Sequence, residues 1–327
     1  MNPFERIRAP PELEEMVERT LRKASRAAKK IPFHNESRTA LAREKRRIET
    51  LTGAFIGYLM DSAEVGETLQ TADIFYAKIS DLLFDHEKVK ESIKRVKGSV
   101  KVIERIKKKY LRRLRGDSEE AARLRREAYG RIISVLKRRK KELDHLRSVW
   151  EKMHKLPSID SDMPTVVVAG SPNVGKSSLV RAISTARVKV ASYPFTTKEV
   201  SVGHLQKGSV RVQIIDTPGL LDRPMEKRNP IEKRTILCLR YVASLIVYLF
   251  DPSHEKYYPL EDQIEIFGEI KKSFKEILVL PVINKMDIAL DDVNLVKDTL
   301  KERAFKVSIV DGSGLDALVD DLFRNFS

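Results

Sequence analysis

Apolar residues in the first half of the chain recur three and four positions apart, whereas beyond residue 164 they gather into short Val, Ile and Leu runs divided by loops carrying Gly and Pro. The first pattern predicts helices with one buried stripe, and the second predicts strands covered on both faces. Pro10-Pro11 ahead of Glu12, Glu14 and Glu15 makes a helix start, since proline suits a first turn and carboxylates suit the positive end of the helix dipole. Leu13, Met16, Val17, Leu21 and Ala24 then share a face, and Pro32 ends the element. A second helix is expected after Asn35-Glu36-Ser37 with Leu41, Ile48, Leu51, Phe55 and Leu59 inward, and a third from about Leu69 to Phe84. Two long helices follow, one carrying Val89 to Tyr110 and one carrying Leu124 to Trp150. Gly116-Asp117-Ser118 between them makes antiparallel neighbours in a bundle.

Strand-like runs sit at 165–169, 199–205, 210–215, 244–250, 277–283 and 304–309, mostly with helical stretches between. That alternation predicts an α/β domain with a mainly parallel sheet. Gln206-Lys207-Gly208-Ser209 is the exception, a tight turn joining one antiparallel hairpin. Leu156 to Pro164 is polar, holds two prolines and has no helical stripe. The expected organisation is an all-α helical domain over 1–156, a linker over 157–164 and the α/β domain over 165–327.

Charge separates the halves further. The chain of 327 residues carries +15, and residues 1–160 hold 39 Lys and Arg against 25 Asp and Glu, so nearly all of the excess lies in the helical part. A basic domain beside a near-neutral one suggests that one half meets a polyanion. No apolar run approaches the roughly 18 residues of a membrane span, and the start, Met1 to Arg6, lacks a signal peptide's apolar core. The single cysteine, Cys238, excludes an internal disulfide and reads as a small buried hydrophobe in a reducing cytosol.

The candidate chemistry begins where Val166-Val167-Val168-Ala169 breaks into Gly170-Ser171-Pro172-Asn173-Val174-Gly175-Lys176-Ser177, followed by the helical Ser178-Leu179-Val180. This is a phosphate-binding loop. Its glycines allow backbone angles at which the N–H groups of Ser171 to Ser178 converge on phosphates at a helix N-terminus. Lys176 would place a charge on the β- and γ-phosphates, and Ser177 would ligate Mg²⁺. Asp216-Thr217-Pro218-Gly219 directly follows a strand, which puts Asp216 near the same Mg²⁺ and lets the Gly219 N–H meet the γ-phosphate. Asn284-Lys285-Met286-Asp287 follows another strand. The Asp287 carboxylate can accept from guanine N1–H and its 2-amino group, donors that adenine does not offer, so the ligand expected is GTP or GDP. Lys285 would lie along the base and Asn284 would tie this loop to the phosphate loop. Ser308-Ile309-Val310-Asp311-Gly312 resembles the last guanine-contacting loop of G proteins, where a backbone N–H makes the contact.

Thr197, favoured over Thr196, lies between the first helix and the second strand, where a threonine can ligate Mg²⁺ and sense the γ-phosphate. With Lys176 and Gly219 it makes the expected catalytic set. Leu220 stands where many GTPases place a water-orienting glutamine, so slow unaided turnover is expected. Asn173 resembles the asparagine of G proteins that recruit K⁺, which adds a potassium ion to the candidate cofactors.

The longer motifs narrow the family. Tyr193-Pro194-Phe195-Thr196-Thr197, Asp216 to Pro224, Glu226-Lys227-Arg228-Asn229 and Phe250-Asp251-Pro252-Ser253 resemble the Nog-type nucleolar GTP-binding proteins of the Obg and HflX group. A basic helical domain before the GTPase domain is also similar to that family. The chain stops after Phe326-Ser327, as the short archaeal-type form would. The resemblance implies work on the pre-ribosomal large-subunit particle, the helical domain against ribosomal RNA, a cytoplasmic and ribosome-associated location, and a candidate protein activator. Two other readings stay open from the residues: a GTP-gated protein-interaction module whose hydrolysis is incidental, and a membrane-surface GTPase. The second is disfavoured because the apolar stripes are committed to bundle packing, so no membrane partner is expected.

Overall fold

A computed structural model describes residues 1–115, 117–194, 199–288, 300 and 304–326. The chain divides into two compact units, one of Pro3–Ala72 with Leu83–His154 and one of Met1–Asn2, Asp73–Leu82 and Lys155–Ser327. This division differs from the contiguous one expected. Residues 73–82 fall in the α/β unit, and the segment expected as a linker is packed there.

The helices run α1 Leu13–Lys29, α2 Glu36–Thr71, α3 Ile74–Leu83, α4 His86–Arg113, α5 Ser118–Lys137 and α6 Lys140–His154. The helical unit is built on α2, against which α1, α4, α5 and α6 all pack. Its 36 residues make a rod of about 54 Å. Asn35 starts α2 by accepting the Arg38 N–H at 2.8 Å, and Asp117 starts α5 by accepting that of Glu120 at 2.8 Å. Ile48, Leu51, Phe55 and Leu59 of α2 are buried, along with Val96 and Ile103 of α4, Leu124 and Ile132 of α5, and Leu146 of α6. Each such side chain contributes about 1.5–3 kcal/mol by leaving water; of the stripes read from the sequence most residues are buried, while Val17, Leu21 and Leu41 are half-buried.

Two helix boundaries depart from expectation. Leu69 belongs to α2, which ends where Ala72 turns extended at ψ 147°, so α3 starts only at Ile74. The helix expected through Leu124 to Trp150 is two: Arg139 N–H bonds the Leu136 carbonyl at 2.8 Å, closing a tight turn before α6. Between Leu136 and Leu143 the sequence is a run of Lys and Arg with one Glu, so no apolar stripe holds a helix there.

In the α/β unit a seven-stranded sheet has the order β2-β3-β4-β1-β5-β6-β7. The strands are β1 Thr165–Gly170, β2 Lys189–Ser192, β3 Glu199–Lys207, β4 Val210–Asp216, β5 Leu245–Phe250, β6 Leu278–Ile283 and β7 Phe305–Lys306. β4, β1, β5, β6 and β7 are parallel, and β3 meets β4 antiparallel through the Gly208 turn, where φ is +58°. Sequence reading missed β2. It is an edge strand with no buried residue, so no alternation marks it. The run expected over 304–309 pairs only at Phe305–Lys306, because the chain then turns into the last loop.

One sheet face packs Val166, Val168, Leu245 and Val247 with Leu179 and Val180 of α7 (Lys176–Ile183) and with Leu318 and Leu322 of the last helix, Leu315–Arg324. On the other side Tyr248 and Phe250 stack edge-on with each other, and both meet Phe267 of the helix Leu260–Ser273. Tyr76 of α3 accepts the Ile159 N–H at 3.0 Å and donates to the Pro157 carbonyl at 2.8 Å. Gln213 on β4 bonds both the N–H and the carbonyl of Asp160. These bonds are why 157–164 is ordered rather than a free linker.

Candidate functional site

The parallel strands β1, β4 and β6 end at Gly170, Asp216 and Ile283, so the loops that follow leave the same rim of the sheet. At Gly170 φ is +136°, and a Cβ there would sit 2.6 Å from the Leu249 carbonyl oxygen. Gly175 has φ +100°, and its Cβ would sit 2.5 Å from the Asn284 amide nitrogen. Only glycine fits either position. Asn173 is left-handed at φ +63°, a conformation asparagine tolerates better than most residues, so it shapes the loop whatever else it does.

Gly175 caps α7, whose first-turn N–H groups open toward the loop. Lys176 is buried, and its ammonium donates to the carbonyls of Gly170 at 2.8 Å and Ser171 at 2.7 Å. Burial pushes its pKa below the usual lysine value, against the opposing charges of Asp222 and Asp216. A cavity of about 420 Å³ is lined by Pro172, Asn173, Gly175, Lys176, Ser177 and Ser178, and on its other side by Pro218, Gly219 and Asp222. The side chains of Ser171 and Val174 within the loop are buried.

Asp216 is completely buried, and neither carboxylate oxygen has a hydrogen-bond partner among the described residues. Burial raises its pKa, with the neighbouring Ser177 hydroxyl and then Lys176 acting against that. An unpartnered buried carboxylate beside a serine hydroxyl is a hard oxygen donor set, and these residues fit Mg²⁺. Thr217 has no part in that set; its hydroxyl donates to the Val168 carbonyl at 2.7 Å and fixes the turn. Gly219 is left-handed at φ +72°, and Leu220 is fully buried.

The base-side residues come together by their own bonds. Asn284 donates to the Val174 carbonyl at 2.8 Å, the tie expected between the two loops. Ser308 donates to an Asp287 carboxylate oxygen at 2.7 Å and so orients it. The Ile309 side chain would lie 3.1 Å from a Cβ at Gly175, so the last loop reaches the phosphate loop as well. Asp287 and Ser308 are outside the lining of the 420 Å³ cavity. Thr197 lies outside the described residues.

Asp251, Ser253 and Arg228 had no role of their own in the sequence reading, and Asp251, with Ser253 bonded to it, meets Lys285, which was expected along the base. Lys285, left-handed at φ +59°, pairs its ammonium with Asp251, whose other oxygen accepts the Ser253 hydroxyl at 2.6 Å. Arg228 is buried and donates to the Gly219 carbonyl and to Asp222, each at 3.2 Å. Both motifs marked only a resemblance in the sequence. A charged residue inside an otherwise turn-like stretch was the available signal.

A glycine-bounded loop from strand to helix, a buried Asp at the next parallel strand end and a base loop tied back to the first define a P-loop GTPase. A family described as 50S ribosome-binding GTPase matches residues 165–285, and one described as NOG1 N-terminal helical domain matches residues 4–160. The chain belongs to the Nog1 family of GTPases. It is similar to an uncharacterized protein of Methanocaldococcus jannaschii, 33% identical over 294 residues that cover 88% of this chain and 81% of that one. It is also similar to nucleolar GTP-binding protein 1 of Encephalitozoon cuniculi, 34% identical over 265 residues, covering 76% of this chain and 50% of that one. A crystal structure of nucleolar GTP-binding protein 1 from Plasmodium falciparum matches 52% of this chain and 89% of its own, with 34% identity and a TM-score of 0.46. The chain spans half or less of the nucleolar relatives it matches, 33% of the one from Drosophila melanogaster. Among the described residues no helix is long and apolar enough to cross a membrane.

Proposed function

We propose that this chain is a GTP-driven switch in assembly of the large ribosomal subunit, cytoplasmic and ribosome-associated, holding ribosomal RNA through its basic helical unit. The observation that carries the reading is a base loop with Asp287 oriented by Ser308, in a chain whose charge excess lies almost wholly in its first 160 residues. Relatives named nucleolar GTP-binding protein 1, and a matching family described as ribosome-binding, point the same way.

In this reading the amides of Ser171 to Ser178 and the Lys176 ammonium bind the phosphates, while Asp287 selects guanine. Ser177 and Asp216 would hold the magnesium, and Thr197 is assigned to complete that set and to sense the γ-phosphate. Bound magnesium neutralises charge on the β- and γ-phosphates. The Gly219 N–H meets the γ-phosphate, and Arg228 holds the Gly219 carbonyl, so the loop is braced from behind. Leu220 is fully buried and offers no group to orient water, so unaided turnover is slow. A protein activator, or K⁺ bound at Asn173, supplies the missing part; equal hydrolysis rates in sodium and potassium buffers would remove the potassium reading.

The test is crosslinking in cell extract with a non-hydrolysable GTP analogue or GDP, followed by sequencing of the bound RNA. Recovery of large-subunit ribosomal RNA in one nucleotide state over the other is expected. Recovery of no ribosomal RNA, or the same recovery in both states, contradicts the reading.

A further inference from the structure

Within the helical unit α1 and α2 border two adjoining hollows. The larger, about 820 Å³, is lined by Arg19, Arg22, Lys23, Arg26, Lys30 and Arg46. The second, about 410 Å³, shares Arg19 and Lys23 and adds Arg8, Gly53, Gly57 and Tyr58. On α1 the cations fall three and four residues apart, so they form one row beside the stripe that buries Met16, Thr20 and Ala24. On α2 the hollows extend from Arg46 to beyond Tyr58, a length of about 18 Å.

Cations elsewhere in the unit include paired ones and also unpaired ones such as Lys107, Lys108, Lys109 and Arg112, which form no ion pair among the described residues. Arg125 pairs with Glu44, Lys140 with Glu14, and Arg147 with Glu12 and Glu151. In the groove only Arg22 pairs, with Glu18, and that pair is exposed; Arg8, Arg19, Lys23, Arg26, Lys30 and Arg46 form no ion pair among the described residues. Glu15, Glu18 and Asp61 also line the hollows, so seven cations face three carboxylates. The floor is bare backbone, as the helix surface also is at Gly98 of α4 and Gly130 of α5. Gly53 and Gly57 are exposed in the middle of α2, and a Cβ at either would meet nothing within 4 Å. Glycine weakens a helix relative to alanine, and crowding does not require it here. Bare backbone lets a flat group lie against α2, next to the half-buried Tyr58 ring.

We propose that this groove binds a single strand of RNA, its phosphates along the α1 row and a base against Gly53, Gly57 and Tyr58. The inference rests on the RNA-binding reading above and says where that binding occurs. Each phosphate neutralised by a lysine or arginine releases a counterion, and a tyrosine face stacks any base.

The test uses the full chain with a labelled oligouridine strand, the same sequence as a duplex, and anionic vesicles, across about 50 to 200 mM salt. Replacing Arg19, Lys23, Arg26 and Lys30 by Gln is expected to weaken strand binding about tenfold or more and to flatten the salt slope by about 3. Gly57→Leu keeps every charge and places its side chain in open space; it should weaken the strand about fivefold or more with no loss of thermal stability. A control replaces Lys107, Lys108, Lys109 and Arg112 by Gln. If the control weakens binding as much as the groove variant, or the duplex binds as tightly as the strand, the proposal is overturned. Groove variants that leave strand binding unchanged overturn it while the ribosomal reading stands. A chain that binds no RNA, or only the vesicles, overturns both.

Discussion

The side-chain amide of Asn284 donates to the backbone carbonyl of Val174 at 2.8 Å, joining the base loop to the phosphate loop across 110 residues of chain. Replacing it by alanine leaves a buried acceptor unpaired, which costs about 1–3 kcal/mol. GTP affinity of Asn284→Ala should therefore fall by about fivefold to a hundredfold, read by titration of a fluorescent nucleotide. Affinity equal to that of the parent would show that the two loops are held by something else.

Gly175 carries a sharper expectation. A Cβ there would be 2.5 Å from the Asn284 amide nitrogen at a φ of +100°, so Gly175→Ala combines backbone strain with loss of the same tie. The strain alone costs about 1–3 kcal/mol. Nucleotide binding should be lost in calorimetry. By contrast Gly208→Ala, also left-handed but with open space around it, should cost stability and leave nucleotide binding intact. Retained GTP binding in Gly175→Ala would refute the close approach.

How far the sequence went depends on what each segment buries. The phosphate loop, Asp216 and the Asn284-to-Asp287 loop were legible because nucleotide chemistry needs those residue types in that order at strand ends. The sheet was legible where Val and Ile runs are covered on both faces, as in β1 and β5, and not at β2, which buries nothing. The break between α5 and α6 was hidden because it has neither Gly nor Pro and arises from an apolar gap between Leu136 and Leu143. The grouping of residues 73–82 with the α/β unit was also beyond reach. A stripe of Phe75, Tyr76 and Ile79 shows that α3 buries a face, not which core receives it. The Arg228 and Asp251 contacts depend on side chains meeting across loops, which spacing does not encode.

Cys238 gives a pH dependence with a defined sign. It is buried, its thiol donates to the Arg234 carbonyl at 3.4 Å, and burial pushes its pKa up to about 11 from 9.0, with Arg240 opposing. The folded state holds the proton more tightly, so its contribution is whole below pH 9.0 and shrinks as pH rises toward about 11, where the unfolded thiol ionises first. The stability advantage of the parent over Cys238→Ala should narrow across that window in denaturant melts. Iodoacetamide should label the native protein slowly at pH 9.0; labelling as fast as in the unfolded chain would mean that the thiol is exposed.

The most direct measurement is base selection by Asp287. Calorimetric titration of the parent and Asp287→Asn with GTP, XTP and ATP reads the carboxylate alone, because asparagine presents a donor where xanthine has an oxygen. The parent should bind GTP and discriminate against XTP and ATP, and the variant should lose GTP affinity by about a hundredfold while gaining XTP. Undiminished GTP affinity in Asp287→Asn, or a parent that binds ATP as well as GTP, would contradict a guanine site at this rim of the sheet.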